Sequence, residues 1–226
     1  MHLAAAPLAA IAAGLALSAL AQPVAAAPTA RDHAFVEAFG AACVPGRLTY
    51  ESTLAAVAEA GWAEVGPDAN PELDSLMQIA EREATTEDEL LRDPTFDATL
   101  FGKDVAGRPH FLVVTRTSSN LAKPTEPDDI WSLVGCYLYD FDATTPVDPA
   151  PVGAFVGQPI AQSVEDQGVV SHVWGPPCPM PRTGDTYLTF IAAGSAWEAQ
   201  TGFSGQVLKF DTSELDPGEP EPAPYC

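Results

Sequence analysis

The sequence predicts an α+β protein: a mainly antiparallel sheet of about five to six strands, with N-terminal helices and one helix inserted between strands 3 and 4. Three observations carry this. Apolar residues recur at helical spacing as far as Ala80, then at strand spacing from Phe96 onward. The strand-like runs follow one another mostly without crossover helices, which favours antiparallel pairing with helices segregated to a face or end of the sheet. Cys43, Cys136, Cys178 and Cys226 give an even cysteine count, which in an exported chain reads as a disulfide framework.

Export is read from the first residues. No charged side chain stands between Leu3 and Ala27, and Leu8, Ile11, Leu15, Leu17 and Leu20 lie in an alanine-rich run ending in small residues. That pattern marks residues 1–26 as a signal peptide, cut after Ala21 or Ala26. An uncleaved anchor is the competitor, since a run of about 20 residues can span a bilayer; weakly apolar alanine and the small-residue ending favour cleavage. Residues 27–216 then form one α+β domain, and residues 217–226 a proline-rich tail tethered by Cys226. The expected location is the periplasm or the medium outside the cell, with no membrane span after cleavage.

The elements follow in order. Thr29 with Asp32 as capping acid starts a helix whose apolar face is Phe35, Val36 and Phe39, and which ends by Pro45. A second helix runs from about Thr49 to Ala60, with Gly61 as C-terminal cap. Asn70 as N-cap and Pro71 at the first helical position start a third, with Leu73, Leu76, Met77 and Ala80 as its stripe. Glu81, Glu83, Glu87, Asp88 and Glu89 read as a solvated face and loop. Phe96 to Val105 and His110 to Thr117 read as a hairpin turning at Ala106, Gly107 and Pro109. A loop from Ser118 to Asp129 leads to the strand Trp131–Phe141, apolar on both faces and therefore central. Asp148-Pro149 starts the inserted helix, and Val169–Trp174, Thr186–Ala192 and Gln206–Asp211 complete the strands.

Cys43 is expected to pair with Cys136, and Cys178 with Cys226, because prolines 217, 220, 222 and 224 leave the tail extended and a bridge to the loop around Cys178 would clamp it. With 31 acidic against 10 basic residues the net charge is −21, so nucleic acid and anionic lipid surfaces are repelled.

Chemistry-bearing motifs are sparse. His172, Cys178 and Met180 are ligand types that suit copper, but a bridged Cys178 has no thiolate to offer. Asp140-Phe141-Asp142-Ala143-Thr144 alternates oxygens like a calcium loop, yet Thr145 stands where the loop needs glycine. Thr201–Gln206 has the wrong spacing for a serine elbow and reads as a turn. No metal, cofactor or catalytic residue is assigned on these grounds. The aromatic residues Trp131, Tyr137, Tyr139, Phe141, Trp174, Tyr187, Phe190 and Trp197 are either packing or the lining of a pocket for an apolar or sugar-like ligand. The functional expectation is a non-enzymatic binding or envelope-associated module that holds a small molecule or a protein on its sheet face or loops. The alternative is a secreted hydrolase with a histidine-centred site at His110 or His172.

Overall fold

Capping sets the first helices. In the computed structural model, which describes residues 27–86, 92–122, 126–216 and 218–226, helix α1 (Ala30–Cys43) begins at a complete capping box: the Asp32 carboxylate accepts from the Thr29 N–H at 2.7 Å, and the Thr29 hydroxyl accepts from the Asp32 N–H at 3.3 Å. The expected signal peptide lies outside the described residues. Helix α2 (Tyr50–Glu59) is capped by Thr49 and followed by Gly61, whose φ of +79° is the left-handed exit that glycine adopts without strain. After a two-residue strand β1 (Ala63–Glu64) and a 3-10 turn at Pro67–Ala69, Asn70 accepts from the Glu72 N–H at 2.8 Å and starts α3 (Pro71–Ala84).

The remaining elements are β2 (Arg92–Val105), β3 (Arg108–Asn120), β4 (Ile130–Asp140), α4 (Ala150–Val156), β5 (Gln162–Asp166), β6 (Val169–Trp174), β7 (Thr183–Ile191), α5 (Ala196–Thr201) and β8 (Gly205–Ser213). They form a single antiparallel sheet of 8 strands in the order β1-β2-β3-β4-β8-β7-β6-β5. Two meanders, β1–β4 and β5–β8, thus meet where β4 pairs with β8, and the connection carrying α4 runs from the middle of the sheet to its far edge. The β2–β3 turn is the residue pair Ala106 and Gly107, both with positive φ, as the twist of a tight hairpin requires.

The expected sheet of about five to six strands is therefore too small. The two extra strands, β1 and β5, are exposed along their length, so no apolar alternation announces them. Helix placement differs as well. The inserted helix follows the fourth strand, because β1 precedes α3, and a second, α5, stands between β7 and β8. Nor are the helices segregated to one face. Helices α1, α2 and α4 pack Phe35, Phe39, Val57, Val152 and Val156 on Leu112, Val114, Val134, Leu138, Leu208 and Phe210 of one sheet face. Leu73 and Leu76 of α3, with Phe203 just after α5, pack on Leu100, Val113, Tyr139 and Val207 of the other.

Two disulfides are present, which fits an oxidising extracellular environment. Cys43–Cys136 ties the end of α1 to the middle of β4, and both residues are essentially inaccessible at 0% and 1%. Cys178–Cys226 holds the tail, which the Tyr225 hydroxyl also fixes by accepting from the Arg182 N–H at 2.9 Å. No helix among the described residues is long and apolar enough to cross a membrane.

Candidate functional site

Strand alternation places Val113 and Thr115 of β3, Gly135, Tyr137 and Tyr139 of β4, and Val207, Lys209 and Asp211 of β8 on the sheet face that α3 and α5 cover. The register sorts them into three parallel rows. Phe111, Tyr139, Val207 and Thr189 make one, Val113, Tyr137, Lys209 and Tyr187 the next, and Thr115, Gly135 and Asp211 the third. Polarity rises row by row. The helices do not close over the face completely, leaving a groove of about 790 Å³ whose walls are Leu76, Ile79, Ala80 and Glu83 of α3, and Trp197, Gln200 and Thr201 of α5, with Phe203 beyond it. That volume is within the range of pockets that bury a small ligand.

Tyr137 divides the groove. Its hydroxyl donates to Asp211 Oδ1 at 2.7 Å, and its ring lies across Gly135. A Cβ at position 135 would stand 2.5 Å from Thr115 Oγ1 and 2.6 Å from the Tyr137 hydroxyl oxygen, so only glycine lets the ring reach Asp211. Gly135→Ala is expected to drive Tyr137 out of this bond and to cost about 1–3 kcal/mol, read as a lower urea midpoint; an unchanged midpoint would contradict the fit described. Burial, and then the adjacent Asp211 carboxylate, hold the Tyr137 hydroxyl well above the ordinary phenol value, so it stays protonated as a donor. Burial likewise raises Tyr139. Lys209 Nζ lies 5.4 Å from the Tyr137 ring centroid and 5.1 Å from that of Tyr187. Among the described residues no carboxylate stands within ion-pair distance of Lys209.

The two histidines singled out from the sequence lie elsewhere, apart from each other. His110 is 2% exposed beneath α1, where its Nδ1 N–H donates to the Arg108 carbonyl at 2.9 Å and its Nε2 faces Asp140 Oδ2 at 3.6 Å. Asp140, fully buried, accepts from Arg31 at 2.9 Å and from Arg108 at 3.0 Å. The carboxylate that headed the calcium-like run is therefore the anchor of an arginine pair. Burial, the largest influence, lowers the His110 pKa below 6.5; the hydrogen bond to the Arg108 carbonyl and the Asp140 charge oppose it, and the two guanidinium charges add to it. The imidazole is neutral in the fold and charges more readily in the unfolded chain, so stability falls as pH drops below the ordinary value of about 6.5. His172, also lowered by burial, adds a loss of the same sign. Urea midpoints at pH 8 and pH 5.5 should show the loss, and His110→Gln should shrink it; an equal loss in both proteins would refute the assignment to His110.

His172 pairs across the β5–β6 ladder with Ser163, whose Oγ is 2.9 Å from its Nδ1, while Asp148 acts on it only at a distance. This pair sits near the exposed edge of the sheet, on the face opposite the groove. Cys178 is in a disulfide and offers no thiolate. Among the described residues no three His, Cys, Asp or Glu side chains are placed to hold a metal ion. Of the aromatic residues named from sequence, Tyr137, Tyr139 and Trp197 line the groove, Trp174 is core at 0% exposure, and Trp131 is 40% exposed at the end of the same face. Sequence reasoning missed Thr115, Lys209, Asp211 and Phe203. A signal for two of them was present, since Lys209 and Asp211 are the charged positions of their strand and fall on the same side of it. Comparison with models of protein families, with curated proteins and with solved structures finds no match to this chain.

Proposed function

We propose that the protein is an exported, non-enzymatic binding module that holds a small amphipathic molecule between its sheet and helices α3 and α5. The observation that carries this reading is the 790 Å³ groove itself, apolar under Leu76, Phe203 and Val207 and polar at Lys209 and Asp211. A site that only binds needs apolar area plus a few fixed polar groups. It does not need the nucleophile, base and orienting carboxylate of a hydrolase, and among the described residues neither His110 nor His172 is hydrogen-bonded to both a hydroxyl and a carboxylate.

Thermal unfolding of the oxidised protein with short-chain amphiphiles tests this. A ligand present at about 100 times its dissociation constant stabilises by roughly 2.7 kcal/mol, which raises the midpoint by about 5–10 °C for a chain of this size. Ala80→Trp places an indole in the groove from the partly exposed wall of α3. It should abolish the shift while leaving the ligand-free midpoint nearly unchanged. A shift of equal size in the variant would place binding elsewhere, and no shift with any amphiphile would end the proposal.

A further inference from the structure

The chemistry of the ligand's polar end can be read from β8. Lys209 and Asp211 stand two residues apart on the same side of the strand, in adjacent rows of the groove floor, and they do not form an ion pair with each other. Lys209 is instead placed between the rings of Tyr137 and Tyr187. Asp211 receives the Tyr137 hydroxyl on Oδ1, and among the described residues its Oδ2 has no side-chain donor. The groove therefore offers an ammonium donor and a carboxylate acceptor side by side, each with capacity left. Thr115 adds a hydroxyl in the same row as Asp211.

Consider what each kind of head group meets there. A carboxylate head finds Lys209 but also Asp211, Glu83 and a molecule of net charge −21. An ammonium head finds Asp211 but also Lys209. A hydroxyl accepts from the ammonium and donates to the carboxylate at once, and it brings no charge to desolvate. Several hydroxyls on one head can use Thr115 as well.

We infer that the groove's ligand is an amphiphile with an uncharged, hydroxyl-bearing head, held between Lys209 and Asp211 while its apolar part lies under α3 and α5. The inference rests on the binding role proposed above. An alkyl glycoside and a monoacylglycerol share this chemistry, and the experiment separates them.

Phenylnaphthylamine, a neutral apolar fluorophore, is bound to the oxidised protein and displaced by four compounds with the same eight-carbon chain: octyl glucoside, monooctanoylglycerol, octanoate and octyltrimethylammonium. One or both of the neutral hydroxylated compounds should displace the probe at about ten-fold lower concentration than either charged one. The better of the two identifies the head as sugar or glycerol. Lys209→Met should remove most of the advantage over octyltrimethylammonium, and Asp211→Ala most of the advantage over octanoate, in both cases while the fluorophore still binds. Fluorophore binding also reports that the variants are folded, and the wild-type head-group series stands without them. A charged compound that competes as well as the hydroxylated ones with the wild type, or an advantage over octyltrimethylammonium that survives Lys209→Met and over octanoate that survives Asp211→Ala, overturns the inference and leaves the groove reading in place. A wild-type protein that binds neither fluorophore nor any octyl compound overturns both.

Discussion

With Cys43 and Cys136 both replaced by alanine, the unfolding free energy should fall by about 4.5 kcal/mol, the value that the chain-entropy account gives for a loop of this length. The bridge joins residues 93 apart in sequence, so breaking it releases a large part of the unfolded chain from constraint. Both sulfurs are inside the main core, where Phe39 of α1 packs edge-on against Phe210 of β8 at 5.1 Å. Loss of the bond therefore acts on the packing of α1 against the sheet, not on a loop. The double variant should melt roughly 10–20 °C lower, in one transition. Calorimetry measures it, and an unchanged midpoint would show that α1 docks as firmly without the bond.

The second large effect is expected at Asp140. Its carboxylate is fully buried and is met by two guanidinium groups that are themselves 25% and 31% exposed. Asp140→Asn keeps the shape and removes the charge, leaving Arg31 and Arg108 facing each other across a neutral group beside a neutral imidazole. Breaking a buried pair costs about 3–5 kcal/mol when the charge left behind is fully buried. The arginines can turn part of their charge to water, which puts the expected loss near the lower end, about 3 kcal/mol. Urea unfolding gives the figure directly. A loss below about 1 kcal/mol, the worth of an exposed pair, would mean that solvent already screens the cluster.

What could be read from the sequence divides by range. The capping box at Thr29 and Asp32, the Asn70-Pro71 helix start and the Gly61 exit are local signals, and each marks an element that is present. The alternation along Trp131–Phe141 similarly identifies a strand covered on both sides, because Cys136 and Leu138 face one core while Tyr139 and Phe141 face the other. Strands β1 and β5 carried no such signal. Ala63–Glu64 is too short to alternate, and Gln162–Asp166 is exposed at every position, being an edge strand that packs on nothing. Helix α5 spans only 6 residues and is started by Ser195 rather than by an apolar period. The groove was invisible for another reason. It depends on which face α3 covers and on the register that lines up Gly135 with Thr115 and Asp211, and neither follows from spacing within one segment.

The meeting of the two meanders has a kinetic consequence. Residues 43 and 136 both precede β5, and residues 178 and 226 both follow it, so each disulfide lies within one half of the chain and neither joins the two halves. The β4–β8 junction, which brings Asp140 beside Gln206 and Leu133 beside Ser213, closes only after the whole second half exists. Such distant pairing is the slow kind, because closure entropy must be met before the contacts form. The strands on either side of that junction are also those that supply Tyr137, Lys209 and Asp211. The β4 edge therefore stays unpaired, and the groove floor incomplete, until the two halves of the chain join.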